Sequence, residues 1–165
     1  MQTFRGAVTA FVLAFVFLLP LPGTADSADV VAPVTATQAD KCPVCGMFVG
    51  KYPDFLAQII FTDGSHALFD GAKDMFTYYF NIKKYNANKE RSDIASVYVM
   101  DYYSTLPIDA RTAWFVVGSD VFGPMGHELI PLRQEVEAKE FAKDHSGKQI
   151  LRFDEVTPAL IKGME

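Results

Sequence analysis

The chain has 165 residues, 50% of them hydrophobic and 21% charged, a composition that supplies one compact domain or two small lobes sharing a core and excludes disorder of the whole chain. Fifteen Lys and Arg stand against 20 Asp and Glu, for a formal charge of -5. No basic cluster is present to neutralise a phosphate backbone, so nucleic acid is not an expected partner.

The first segment reads as an export signal. After Arg5, residues 7–19 are apolar except for Thr9, and Pro20 and Pro22 then break the run. An apolar stretch of this length is short for a membrane span and matches a secretory signal peptide, with an uncleaved anchor as the competing reading. Gly23-Thr24-Ala25 sets small residues where a signal peptidase reads them, which predicts a signal peptide over 1–25 with the cut after Ala25. A cut after Ala28 would put Asp26 at a small-residue position. Removing Arg5 leaves 14 basic against 20 acidic residues, a mature charge near -6. Residues 26–40 are rich in Ala, Val and Thr without periodicity and read as a flexible leader to a folded part over 41–165. Export takes Cys42 and Cys45 out of the reducing cytosol.

Past the leader, residues 55–61 and 65–69 are strand-like and flank Thr62-Asp63-Gly64, a hairpin signal. Asp70 is then expected to cap a helix whose apolar positions are Ala72, Met75, Phe76, Tyr79 and Phe80. The polar stretch 83–93 marks a lobe boundary. Beyond it, residues 94–101 and 113–117 are β-branched and aromatic, and a helix is expected over 134–144 with Glu135 and Lys139 paired on its wet side. Gly147 stops that helix and residues 149–153 return as a strand. The strands-then-helix order occurs twice. It predicts an α+β architecture of two related lobes, at about 41–85 and 93–158, with small antiparallel sheets.

The most informative run is Cys42-Pro43-Val44-Cys45-Gly46-Met47. Pro43 favours a turn that brings Cys42 and Cys45 together, and an extended Cys45-Gly46-Met47 sends two sulfurs to one face. Thiolate and thioether ligands together select Cu(I). Three other readings stay open at this point. A structural zinc site wants four ligands, commonly as two pairs, and no second cysteine pair exists. A thioredoxin-like Cys-Pro-x-Cys run opens a helix, whereas Gly50 and Pro53 follow closely here. A plain disulfide between Cys42 and Cys45 would close a small loop with little structural consequence.

A second candidate lies in residues 118–127. Three glycines and Pro124 mark an exposed loop in which Met125 has no face to bury it, and Met125 and His127, two apart, are candidates to face one ion. The competing reading is that Met125 fills a gap in the core. His66 reads as a half-buried strand position, His145 as a helix-closing residue suited to the dipole, and Met75 and Met100 as core. No serine elbow, paired-carboxylate signature or phosphate loop is present, so an enzyme is not indicated.

Cys45-Gly46-Met47, the Asp63-Gly64 hairpin with Phe69-Asp70 after it, Gly118-Ser119, Gly123-Pro124-Met125-Gly126 and Glu128-Leu129-Ile130-Pro131 together resemble the NosL family of nitrous oxide reductase accessory proteins. The resemblance covers roughly residues 40–157, closing on Phe153-Asp154-Glu155-Val156. It implies two ββαβ-type lobes, similar to part of organomercurial lyase. It also implies a periplasmic Cu(I) metallochaperone that helps load nitrous oxide reductase during denitrification, with a dedicated ABC transporter complex at the membrane. By that resemblance the ligands are Cys45, Met47 and Met125. Cys42 is an addition that many relatives lack. Family members are typically lipoproteins anchored by a cysteine after the signal peptide, and this chain has no such cysteine, so a soluble periplasmic carrier is expected. Two alternatives accompany that reading: a carrier for another copper enzyme, and a periplasmic thiol-disulfide oxidoreductase using Cys42 and Cys45.

Overall fold

The computed structural model describes residues 1–2 and 31–165. The signal peptide over 1–25, its cut after Ala25 and residues 26–30 of the leader lie outside the described residues, apart from the first two. From Val31 the chain lies along a sheet: the Val31 amide donates to Ser96 Oγ (3.0 Å), and the Tyr98 hydroxyl donates to the Val31 carbonyl (2.8 Å). Val34 exchanges two hydrogen bonds of 2.9 Å with the buried Gln58 amide. The flexible leader expected over 26–40 is therefore tied down over part of its length, because a buried side-chain amide must be satisfied and the leader's main chain satisfies it.

The first hairpin pairs β1 (Ala57–Phe61) with β2 (His66–Phe69) in antiparallel register. Its turn depends on Gly64, whose φ of +81° favours glycine, and on Asp63 Oδ1, which accepts from both the amide and hydroxyl of Ser65. The first helix, α1 (Ala72–Phe80), follows and buries Ala72, Met75, Phe76 and Tyr78. A short α2 (Ile82–Tyr85) leads on to β3 (Ile94–Met100) and β4 (Pro107–Asp109). The second part has β5 (Trp114–Gly123), β6 (Gly126–Leu132), α3 (Glu135–Asp144), β7 (Gln149–Arg152) and α4 (Pro158–Lys162). One sheet has the order β2-β1-β3-β4 and the other β6-β5-β7, all pairs antiparallel. Each half is a ββαβ unit with its first strand in the middle, so the expected α+β fold of two related lobes is the observed one.

The lobe boundary is not where the polar stretch 83–93 put it. Strand β3, read with the second lobe, pairs with β1, and the sheets change over between Asp109 and Trp114. The junction escapes notice because it is a tight turn closed by Ala110 and Ala113, both buried. The polar stretch is the solvated return from helix to strand within the first lobe.

Residues of both lobes share one core. Ala57, Ile59 and Phe61 of β1 meet Phe115 and Val117 of β5 and Leu129 of β6 around α1. Phe76 is central, with its ring edge-on to Phe115 at 5.3 Å and tilted on Phe153 at 4.9 Å. The period of two along β5 sends Val116 to the other side, where Ile130, Leu132, Ala138 and Phe141 form a smaller core under α3.

Residues 118–127 are not a loop. Strand β5 continues to Gly123, Gly123 pairs with Gly126, and a register shift between Val117 and Phe122 twists the arm. Glycines in this stretch serve the bulge and the turn: Gly118 has φ +76° and Gly126 φ +85°. Pro124 and Met125 form the hairpin tip.

Candidate metal centre

The Cys42–Met47 loop folds on itself. The Cys42 amide donates to the Met47 carbonyl and the Gly46 amide to the Cys42 carbonyl, both at 2.9 Å, and Lys41 and Phe48 form a β-bridge at its base. Gly46 takes φ +80°, a left-handed conformation at the point where the loop reverses. Cys42 is buried at 1% exposure, Cys45 is partly buried, and the two are not joined in a disulfide.

Each thiol meets a carboxylate. Cys42 Sγ lies 3.2 Å from Asp74 Oδ2, and Cys45 Sγ lies 3.2 Å from Asp70 Oδ1. The ligand atoms of Cys42, Cys45, Asp70 and Asp74 all fall within 4.8 Å of one another. Asp70 follows β2 and Asp74 lies in the first turn of α1, and the extended Gly71 between strand and helix leaves both side chains on the same loop. Burial, reinforced by the facing carboxylates, pushes the Cys45 thiol up to about 12 and the Cys42 thiol further. Burial also raises Asp74. Without a metal, the thiol protons are thus held between sulfur and carboxylate oxygen. A cation entering this cluster displaces those protons and takes over their bonds. Asp70 Oδ2 is buried with no hydrogen-bond partner among the described residues, a lone pair that a cation would satisfy.

Two of these four residues were not legible as site residues. Asp70 was expected to cap α1, but the N-cap is Gly71, extended and without a side-chain cap, and the Lys73 amide is taken instead by Glu128 Oε1 at 2.6 Å. Asp74 stands beside Met75 in an apolar helix pattern and gave no sign beyond its four-residue spacing from Asp70. The two carboxylates bring the cluster to four donor groups, two thiols and two oxygens, where the cysteine count alone gave two.

The other candidates have varied surroundings. Met47 is half-buried at the end of the cysteine loop. Met125 is 45% exposed at the β5–β6 tip, so it fills no gap in the core, and its carbonyl accepts from Lys73 Nζ at 2.7 Å, the residue before Asp74. His127 is exposed, its ring centroid 5.1 Å from that of Phe122, and lines a cavity with Gly118, Lys148, Leu160 and Met164. His66 is exposed rather than half-buried. His145 ends α3 with Nδ1 3.0 Å from Asp120. Met75 is in the core and Met100 is half-buried against it.

The chain and its fold have counterparts among known proteins. The family model NosL matches residues 33–161. The chain belongs to the NosL family. Among NosL relatives, the copper-binding lipoprotein NosL of Stutzerimonas stutzeri is 29% identical over 168 residues, covering 95% of this chain and 82% of the relative. The crystal structure of the copper chaperone NosL from Shewanella denitrificans superposes with a TM-score of 0.67 at 26% identity, over 78% of this chain and 97% of that one. The NosL resemblance read from the motifs is therefore correct, and so is its implied fold.

Proposed function

We propose that this protein is a copper chaperone that carries one Cu(I) ion in the periplasm, held by Cys45, Met47 and Met125 with Cys42 beside them. The observation that carries this reading is the convergence of two thiols and two carboxylates within 4.8 Å, one thiol part-exposed, on a loop that ends in Met47. Soft sulfur donors select Cu(I), and neutral thioethers keep the ion transferable because they bind without a charge to neutralise. The carboxylates of Asp70 and Asp74 accept hydrogen bonds from the two thiols in the empty protein and would face the ion in the loaded one. His127 stands outside the set. The named relatives, a copper-binding lipoprotein and a copper chaperone, support the choice of metal. Thiol-disulfide exchange is disfavoured, since Cys42 is sealed from solvent and its loop leads into a single 3-10 turn, Val49–Lys51, instead of an α-helix.

Anaerobic titration of the reduced protein with Cu(I) against a competing chelator tests the site. About one ion per chain is expected by the soft-ligand argument, with tight binding lost in Cys45→Ser and weakened in Cys42→Ser. Parent-like binding by Cys45→Ser would move the site elsewhere. The client we propose is nitrous oxide reductase, loaded together with its ABC transporter maturation complex. Copper per reductase chain, measured at limiting copper in a strain lacking this gene, tests that step. Full loading in the deletion strain rejects the client and points to another copper enzyme.

A further inference from the structure

Two buried charged residues stand next to the cluster without belonging to it. Lys73 is 6% exposed and Glu128 3%. Lys73 holds the β5–β6 hairpin at two points: its amide donates to Glu128 Oε1 at 2.6 Å, and its ammonium donates to the Met125 carbonyl at 2.7 Å. Glu128 Oε1 also accepts from the Leu129 amide at 2.9 Å. The carboxylate is seated between two glycines of different lobes. A Cβ on Gly71 would fall 2.1 Å from Glu128 Oε2, and one on Gly123 would fall 2.9 Å from it. A side chain at Gly71, where the helix begins, would displace the Glu128 carboxylate, and one at Gly123 would crowd the same side chain from within the hairpin.

Burying an ammonium and a carboxyl group is costly, and apolar side chains would hold a helix on a hairpin at less cost. What apolar packing does not supply is a directional bond to the main chain of the hairpin tip. That bond ends on Met125, and Lys73 lies inside the segment Asp70-Gly71-Ala72-Lys73-Asp74, whose two ends are the carboxylates facing the thiols. The segment that presents the carboxylates is thus the segment that grips the methionine turn.

We propose that Lys73 and Glu128 form an interlobe clasp that positions Met125 at the metal centre. This rests on the reading of Met125 as a Cu(I) ligand. Neither clasp residue binds the ion. Each acts through the hairpin.

The test uses Lys73→Met, which keeps the buried stem and removes the ammonium, together with Met125→Ala and the double variant. Cu(I) affinity is read by chelator competition, and the number of sulfur neighbours by copper X-ray absorption. Lys73→Met is expected to keep the fold by circular dichroism, weaken Cu(I) by about 10- to 100-fold and show one sulfur fewer at copper. The double variant should be no weaker than Met125→Ala alone. Should Lys73→Met fail to fold, Lys73→Gln serves, its amide one bond short of the carbonyl, with the same expectations. Parent-like affinity in the Lys73 variant beside a weakened Met125→Ala overturns the clasp and leaves the ligand reading intact. Parent-like affinity in Met125→Ala overturns the ligand reading and the clasp with it. Losses that multiply in the double variant also overturn it, since Lys73 would then act independently of Met125.

Discussion

Glu128 shows how a single residue's surroundings set its chemistry. Burial, with the nearby Asp74 charge acting in the same direction, outweighs the amides of Leu129 and Lys73 and the Lys73 charge, and lifts the carboxyl to about 8. The folded protein then holds that proton at pH values where the unfolded chain, near the ordinary 4.5, has lost it. The contribution of Glu128 is fully present below the unfolded value and is lost as pH rises from about 4.5 to about 8. Glu128→Gln keeps the amide-accepting oxygen and removes the titration, so the melting temperature of the metal-free variant should fall less than the parent's between pH 5 and 8. Parallel curves for the two proteins would show that Glu128 ionises normally. Asp70 gives the complementary lesson. Its type and position suit an N-cap, and only the arrival of the cysteine loop, 25 residues earlier in the chain, makes it a site residue.

At the level of elements, local pattern and observed structure agree wherever the pattern is amphipathic or the turn chemistry is strong. Helix α3 runs Glu135–Asp144 against an expected 134–144, with Gln134 at the cap and the Glu135–Lys139 pair at 2.6 Å. Its end differs in mechanism. The left-handed residue is Ser146 at φ +57°, while Gly147 is needed for space. A Cβ there would fall 2.4 Å from Val116 Cγ1 and 2.9 Å from the Ala142 Cα, and the backbone atom cannot step aside. Gly147→Ala should cost about 1–3 kcal/mol by overpacking, read by urea denaturation, and an unchanged midpoint would mean the turn relaxes freely. The 118–127 arm was misread because glycine and proline signal a loop, yet here they serve a bulge and a two-residue tip within one continuous hairpin.

For the whole molecule, a shared core makes the two lobes one cooperative unit. Phe76, in contact with rings from both halves, tests this: Phe76→Ala should cost about 3–5 kcal/mol and lower a single transition instead of splitting it in two. Loading should act in the opposite direction. At about 100 times the dissociation constant, a ligand bound only by the folded state adds about 2.7 kcal/mol, a rise of ~5–10 °C in the anaerobic melting temperature. Cu(I) that leaves the melt unmoved would place its binding on the unfolded chain as well. Among the described residues no helix is long and apolar enough to cross a membrane. A mature protein beginning at Asp26 remains the expectation from the leader, and intact mass spectrometry of the periplasmic fraction checks it.

The sequence by itself determined the sulfur loop, the hairpin at Asp63-Gly64, the helices α1 and α3, the doubled strands-then-helix order and the family, because each rests on spacing or turn chemistry within a few residues. Only the tertiary structure decided that β3 joins the first sheet and that Asp70 and Asp74 face the cysteines. It alone decided that Lys73 and Glu128 are buried against the Met125 turn. These are relations between residues 25 to 55 positions apart, brought about by burying two apolar faces against one helix, and no local pattern of charge or hydrophobicity encodes which polar groups that burial carries inside.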